Sequence, residues 1–251
     1  LASKYDVLLS SSSQETETFI KKLAQQGINT IIAGGGDGTL MNIFNTIHRE
    51  YNHFPFRMGI LKLGTGNALA NLIGANDPEI DLHKMLHNEY ENTYRLPLIG
   101  DEQNTFFFGG LGLDAQILND YMALKDTYKN TFASSFMQSV FGYLYTSFFQ
   151  SLIPKNRFHG SGMIINEGTG LEIDPITSKT TPLQKGQKIF DGQFHMICFS
   201  TIPYYGYNMK VFPYAGIDPS KMHLRVLTGP LYKSVLHLHQ IWNGSYTSEY
   251  I

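Results

Sequence analysis

Three short apolar runs in the N-terminal part of the chain have the length and composition of β-strands. They lie at Tyr5–Leu9, Thr30–Ala33 and Met58–Leu63, and segments with helical spacing separate them. Strands that alternate with helices usually form a parallel sheet with right-handed crossovers. The order of these runs therefore predicts an α/β domain that is built on a parallel sheet.

Helix signals fill the intervals between these runs. Ser12 and Glu15 have the spacing of a capping box, and Gly27 follows where that helix would end. A second helix is predicted by apolar residues that recur on one face, namely Leu40, Ile43, Phe44 and Ile47. A third helix is predicted over Ala68–Ile73.

The pattern changes after about residue 95. Short apolar runs separated by Gly, Pro, Asn and Asp predict antiparallel strands, and they lie at Thr105–Phe108, Gly162–Ile165, Phe194–Ser200 and Leu224–Leu227. The polar stretch Thr177–Lys188 predicts a loop between strands. We therefore expect an α/β domain over residues 1–95 and a mostly antiparallel β-sandwich domain over residues 96–251.

One stretch in the second half, residues 130–154, contains no charged side chain and is rich in aromatic residues. It is long enough to span a bilayer, but its Ser and Gln residues disfavour burial in hydrocarbon. We expect a mostly buried helix that is inserted into the β domain. The alternative is an aromatic surface that faces a lipid or a membrane.

The overall composition excludes several functional classes. Charged residues make up 16% of the chain and the net charge is −2. We therefore expect no binding of nucleic acid through a general positive surface charge. The single cysteine, Cys198, excludes an intramolecular disulfide and fits a reducing compartment. The N-terminus lacks the layout of a signal peptide, and we expect a cytoplasmic protein.

The strongest chemical signal is the sequence GGGDGT at residues 34–39, between a predicted strand and a predicted helix. Glycines let backbone N–H groups approach a phosphate closely, and the following helix presents its positive end to the same anion. A carboxylate alone in such a loop would repel a phosphate. Asp37 is therefore expected to hold Mg²⁺ or to take a proton from an attacking hydroxyl. The structural alternative is a helix N-cap.

A second glycine-rich loop, LGTGN at residues 63–67, follows the next predicted strand. Thr65 and Asn67 offer a hydroxyl and an amide to the sugar or phosphate of a nucleotide. Because ligands bind at the carboxyl ends of parallel strands, the two loops together predict one site. No Lys follows the glycines, so this is not the GxxxxGK[ST] phosphate loop.

These segments resemble the diacylglycerol kinase catalytic-domain family, which includes sphingosine kinases and bacterial lipid kinases. AGGGDGTL at 33–40 is similar to the nucleotide-loop signature of the family, and GILKLGTGNALANLIG at 59–74 is similar to its second signature. Looser similarities follow at 106–115, 203–227 and 241–246.

The resemblance implies ATP-dependent phosphorylation of a lipid hydroxyl, with ATP and Mg²⁺ as cofactors and a diacylglycerol or sphingoid-type substrate reached at a peripheral membrane surface. It implies a nucleotide-binding domain followed by a lipid-substrate domain. The expected nucleotide-binding residues are Gly35, Gly36, Asp37, Gly38, Thr39, Thr65 and Asn67. Asp37 is the candidate catalytic residue. Asp114 matches a family acid implicated in substrate contact, and a turn Asp is the alternative.

The chain departs from the family pattern in four ways. No NPxSG loop precedes GGGDGT, and no late DGE acid follows IWNGSY. Asp218-Pro219-Ser220 stands where a metal-binding DDG would lie, and Ala68 replaces an acid that often follows the second loop. Asp191-Gly192 is a poor replacement for the late acid and predicts a hairpin turn. We expect that both ends are missing or that they diverged.

Two alternatives to an active lipid kinase remain open. A non-catalytic nucleotide- or lipid-binding module is favoured by the missing late acid and the altered metal segment. A relative of NAD kinases would share GGDG, but LGTGNALA fits lipid kinases better.

Overall fold

A computed structural model describes residues 5–51, 56–90, 92–131, 134–137, 139, 142, 145–146, 160–174, 176–229 and 231–247. The chain forms two compact units. The first contains residues 1–107 with 206–208, and the second contains residues 108–205 with 209–251.

The first unit is organised around two parallel strands. β1 (Thr30–Gly35) pairs with β2 (Arg57–Lys62) in a register that runs from Thr30 opposite Arg57 to Gly35 opposite Lys62. The helices of this unit are α1 (Ser13–Gln25), α2 (Asp37–Glu50), α3 (Ala68–Leu72) and α4 (Pro78–Leu86). Two short antiparallel strands, β3 (Ile99–Gly100) and β4 (Thr105–Phe106), complete it. The predicted parallel sheet with helices is confirmed.

Helix α2 forms because its apolar residues share one face and that face is buried. Leu40, Ile43, Phe44 and Ile47 are all buried, with Ile47 fully so. Burial of each such side chain contributes about 1.5–3 kcal/mol relative to exposure. The ring of Phe107 packs edge-on against that of Phe44, with centroids 5.4 Å apart. This helix therefore anchors the loop that precedes it.

Helix α1 begins and ends where the capping signals predict. The Ser12 hydroxyl accepts a hydrogen bond from the backbone N–H of Glu15 at 3.2 Å. The Glu15 carboxylate does not close the capping box on Ser12. It accepts hydrogen bonds from the backbone N–H and the hydroxyl of Ser11 instead. Gly27 follows the helix with φ +71°, a left-handed conformation that favours glycine.

The segment Tyr5–Leu9 is not a strand, contrary to its apolar pattern. Val7 is 67% exposed and Leu9 is 94% exposed, so these side chains do not pack in the core. An apolar run becomes a strand only where a neighbouring strand completes its hydrogen bonds, and among the described residues this segment pairs with none.

The second unit contains antiparallel sheets, as predicted. β5 (Phe108–Gly112), β10 (Met196–Ser200) and β11 (His223–Leu227) form a three-stranded sheet with β10 in the centre. Two further pairs are β6 (Gly160–Ile165) with β9 (Lys188–Phe194), and β7 (Gly170–Ile173) with β8 (Thr180–Leu183). The helices are α5 (Leu113–Tyr128), α6 (Ser134–Met137), α7 (Leu231–Leu236) and α8 (Leu238–Asn243).

Two local predictions in this unit are wrong, and one helix was missed. Thr177–Lys188 is not a plain loop, since it contains β8. Asp191-Gly192 is not a hairpin turn, because both residues lie inside β9 and pair with β6. Helix α5 was not predicted at all. Leu113 is its only buried residue, so the helical spacing of apolar side chains is weak in its sequence.

Most of the predicted aromatic helix over residues 130–154 lies outside the described residues. Ser134–Met137 within it is helical. Among the helices that the structure describes, none is long and apolar enough to cross a bilayer.

Candidate active site

The two glycine-rich loops leave the same edge of the first unit. GGGDGT spans the end of β1 and the start of α2, whose N-cap is Gly36. LGTGN connects β2 to α3, whose N-cap is Asn67. Because β1 and β2 are parallel and Gly35 lies opposite Lys62, both loops start at the carboxyl ends of adjacent strands. This is the edge at which open α/β sheets bind ligands.

Close packing of the two loops explains several of their glycines. A Cβ on Gly64 would collide with the backbone of Gly36, and a Cβ on Gly36 would lie 3.2 Å from the Cα of Gly64. A Cβ on Gly35 would lie 2.6 Å from the hydroxyl oxygen of Thr39. Gly64 must therefore be glycine for the loops to touch, whether or not a ligand is present, while a side chain at Gly36 would crowd the same contact and one at Gly35 would displace Thr39.

Gly38 is different, because no packing requirement explains it. A Cβ on Gly38 would meet no atom within 4 Å, and the residue is exposed in the first turn of α2. Glycine in a helix costs about 0.5–1 kcal/mol relative to Ala. The open space above Gly38 therefore lies where a ligand can approach the helix backbone.

Asp37 has a structural role that its sequence position did not reveal. Its two carboxylate oxygens accept hydrogen bonds from the backbone N–H groups of Ala68 at 3.0 Å and Leu69 at 3.3 Å. These N–H groups belong to the first turn of α3 and lack partners within that helix. Asp37 is the first residue of α2, and its carboxylate caps the N-terminus of α3. This contact joins the two loops.

Asn67 holds the second loop in shape. Its backbone is left-handed, with φ 54°, and its side-chain oxygen accepts from the N–H of Gly64 at 3.0 Å. Its amide nitrogen donates to the carbonyl oxygen of Gly64. Asn67 is buried, and its side chain is therefore engaged within the loop.

A polar cavity of about 390 Å³ lies beside the second loop. Thr65, Gly66 and Asn67 line one part of it, and Lys62, Tyr207 and Asn208 line others. The backbone N–H of Tyr207 donates to the carbonyl oxygen of Gly66 at 3.0 Å. Tyr207 and Asn208 both have left-handed backbones, with φ 48° and 62°.

The sequence did not identify Lys62, Tyr207 or Asn208 as site residues. Lys62 could have been found from its position directly before LGTGN. Tyr207 and Asn208 lie far along the chain, and only the fold brings them to this loop.

Asp114 lies in the second unit, at the start of α5 and not in a β-turn. The Tyr205 hydroxyl donates a hydrogen bond to its carboxylate, and the ring of Tyr205 packs on Phe108 with centroids 4.7 Å apart. Burial raises the pKa of Asp114, and the hydrogen bond from Tyr205 opposes that shift. The conformation of this carboxylate is thus fixed in an apolar setting.

Cys198 is not a candidate nucleophile. Burial, together with the nearby charge of Asp114, raises the pKa of its thiol to about 12. The thiolate is the reactive form, and it is absent at neutral pH.

The segment Asp218-Pro219-Ser220 does not offer a free metal ligand. The carboxylate of Asp218 accepts hydrogen bonds from the Lys221 ammonium and from Ser220, and these contacts lower the pKa of Asp218. In the described part of the chain, no group of three His, Cys, Asp or Glu side chains is placed to bind a metal ion.

The first unit thus brings all seven predicted nucleotide-binding residues together at one edge of its sheet. They are Gly35, Gly36, Asp37, Gly38, Thr39, Thr65 and Asn67. The predicted substrate residue, Asp114, belongs to the other unit.

Solved structures share this fold along nearly the whole chain. A diacylglycerol kinase from Bacillus anthracis str. Sterne aligns with a TM-score of 0.62 and 14% identity, covering 96% of this chain and 69% of that one. A second structure from the same organism gives a TM-score of 0.60 and covers 70% of that chain. At this identity the similarity establishes the fold.

Sequence similarity is concentrated in a short segment. Probable lipid kinase YegS-like of Enterobacter sp. (strain 638) is 46% identical over 57 residues, which is 22% of this chain and 19% of the relative. Probable lipid kinase YegS of Escherichia fergusonii is 44% identical over a match of the same length. The matched stretch thus spans about a fifth of the curated relatives.

A family model locates the resemblance independently. The model of the diacylglycerol kinase catalytic domain matches residues 2–94, the segment that carries both glycine-rich loops. Residues 2–94 of this chain are therefore similar to the diacylglycerol kinase catalytic domain, the family that the motifs of the sequence predicted.

Proposed function

We propose that this chain is an ATP-dependent lipid kinase that transfers the γ-phosphate of ATP to a hydroxyl of a diacylglycerol or sphingoid-type lipid. The family of residues 2–94 supports a kinase activity. The names of the curated relatives support a lipid as the phosphate acceptor.

The observation that carries the proposal is the open space at Gly38. The neighbouring glycines are required by contacts within the protein, but nothing in the described structure requires glycine at position 38. A phosphate that approaches the first turn of α2 would require it, because a side chain there would occupy the position of the anion. The sequence thus keeps a destabilising residue where a ligand would bind.

In the proposed reaction, the chain binds and orients ATP. The backbone of Gly35, Gly36 and Gly38 and the hydroxyl of Thr39 hold the phosphates, and Thr65 contacts the nucleotide from the cavity. The lipid hydroxyl oxygen attacks the γ-phosphorus, the bond to the β-phosphate oxygen breaks, and ADP leaves. Such a transfer depends mainly on positioning and charge stabilisation.

Asp37 is the candidate to accept the proton of the lipid hydroxyl. Its carboxylate already accepts two backbone hydrogen bonds. Each carboxylate oxygen can accept a further hydrogen bond, so the cap and the proton acceptor are compatible roles.

The expected Mg²⁺ stays a prediction. The described residues present no group of three side chains that could hold a metal ion, and no step of the proposed reaction passes through one. Mg²⁺ supplies neutralisation of phosphate charge when it accompanies ATP.

A peripheral membrane contact and a cytoplasmic location follow from the proposed substrate. A kinase that phosphorylates a lipid must reach the membrane surface on the side that supplies ATP. Both statements are part of the proposal.

A non-catalytic binding module is the second candidate. The observation that favours it is the capping role of Asp37, which would account for an acid in the glycine loop without any chemistry.

The test is the transfer of label from γ-labelled ATP to lipids in mixed micelles, with wild type and Asp37→Asn compared. We expect wild type to label a lipid and Asp37→Asn to label none at equal amounts of folded protein. The variant should lose about 1–3 kcal/mol of stability, because an amide replaces a charged acceptor of two N–H groups. Full activity in the folded variant would mean that Asp37 acts only as a helix cap. Absence of labelled lipid with wild type would favour the non-catalytic binding module.

A further inference from the structure

We propose that Lys62, whose side chain lines the cavity beside the second glycine-rich loop, binds the phosphate groups that the first loop holds. The assignment rests on the proposed function, since it names the residue that supplies positive charge to the nucleotide site. No basic residue lies within GGGDGT or LGTGN, so the loops themselves offer only backbone and neutral side chains.

The position of Lys62 links it to both loops. It is the last residue of β2, directly before LGTGN, and it lies opposite Gly35 in the parallel register. Its side chain lines the same cavity as Thr65 and Gly66. A cation at the end of this strand therefore faces the ligand space and not the core.

The charges around the cavity favour an anion. Lys62 is the only charged residue among those described as lining it, and no carboxylate is among them. Asn71, Asn76 and Asn208 add amides that can donate or accept hydrogen bonds. A cavity with one ammonium group and several amides matches a phosphate with attached hydroxyl groups.

The ammonium group of Lys62 is available for a ligand. It makes no hydrogen bond or ion pair with any residue that the structure describes. Several other lysines are engaged with carboxylates, namely Lys21, Lys22, Lys188 and Lys221.

Asp37 is an acid that lies close to the second loop. One of its carboxylate oxygens would lie 2.9 Å from a Cβ built on Gly66, so it is close to the second loop. Its oxygens are hydrogen-bonded to Ala68 and Leu69. The charge of Asp37 is thus directed toward the N-terminus of α3, and the ammonium group of Lys62 stays available to the ligand.

The experiment measures binding of ATP, adenosine and inorganic tripolyphosphate by calorimetry to wild type, Lys62→Met and Lys62→Arg. Loss of one charge-assisted contact should weaken ATP and tripolyphosphate binding about tenfold in Lys62→Met. Lys62→Arg should retain most of the affinity. Adenosine binding should change by less than about twofold, because adenosine has no phosphate. Lys84→Met removes an exposed lysine of α4 that does not line the cavity, and it should bind like wild type.

The outcomes separate this assignment from the proposed function. Unchanged ATP and tripolyphosphate affinities in Lys62→Met would overturn the role of Lys62, even if wild type phosphorylates lipids. Absence of binding of either phosphate probe to wild type would overturn it as well. Lys62-dependent phosphate binding without lipid phosphorylation would support Lys62 and contradict the kinase.

Discussion

At the scale of single residues, the glycines of the candidate site have different structural roles, although the sequence presents them as one kind of motif. Gly36 and Gly64 serve the contact between two loops, whereas Gly38 leaves space outside the protein. The sequence predicted that these residues converge, since glycine loops after parallel strands share an edge. It could not predict that the carboxylate of Asp37 caps α3, because that contact joins positions 37 and 68 through the fold.

Asp114 allows a prediction about pH. Burial raises its pKa, so the folded protein binds a proton that the unfolded chain releases, and stability falls as pH rises through the interval between the two pKa values. Asp114→Asn removes this cost and should raise the melting temperature at pH 7 relative to wild type. The gain should shrink as pH falls to the ordinary range of Asp.

The control for this measurement is Asp126→Asn, which changes an exposed acid on the same helix and should shift stability by less than about 0.5 kcal/mol. A gain in Asp114→Asn that is the same at low and neutral pH would contradict the buried-charge explanation.

At the scale of elements, predictability follows the strength of the periodic pattern. Helix α2 was found because four apolar residues mark one buried face, and α1 because its caps are local. Helix α5 was missed because a helix with one buried residue shows little periodicity. Tyr5–Leu9 was misassigned because pairing with another strand is not visible in a local run of apolar residues.

The importance of the buried face of α2 can be measured with Ile47, whose side chain is fully buried. Ile47→Ala should destabilise the protein by about 2–5 kcal/mol, because it removes apolar contacts and leaves a cavity. Urea unfolding monitored by circular dichroism measures this loss. Ile80→Ala on α4, where the side chain is 56% exposed, should cost less than about 0.5 kcal/mol. Equal effects of the two substitutions would contradict the assigned core.

At the scale of the whole molecule, the similarity in fold covers much more of the chain than the close similarity in sequence. The fold aligns with known structures over 96% of the chain at 14% identity, whereas close sequence similarity covers 22%. A fold is preserved when apolar positions keep their pattern, even after most identities change. The family model matches residues 2–94, the part of the chain that contains both glycine-rich loops. The motifs therefore predicted the family, while the arrangement of strands in the second unit needed the structure.

The central claim is that the paired glycine loops form a phosphate site with its open side at Gly38. Gly38→Val tests this most directly. A Cβ at this position meets no atom within 4 Å, and Val has a higher helix propensity than Gly, so the variant should be at least as stable as wild type. Gly168→Val places the same side chain in another open position, within the second unit, and serves as the control.

The measurement is the shift in unfolding free energy on addition of ATP with Mg²⁺. Wild type and Gly168→Val should gain about 2.7 kcal/mol at a hundredfold excess over the dissociation constant. Gly38→Val should gain little, because its side chain occupies the place of the phosphates. An equal ATP-induced gain in Gly38→Val and wild type would contradict the account.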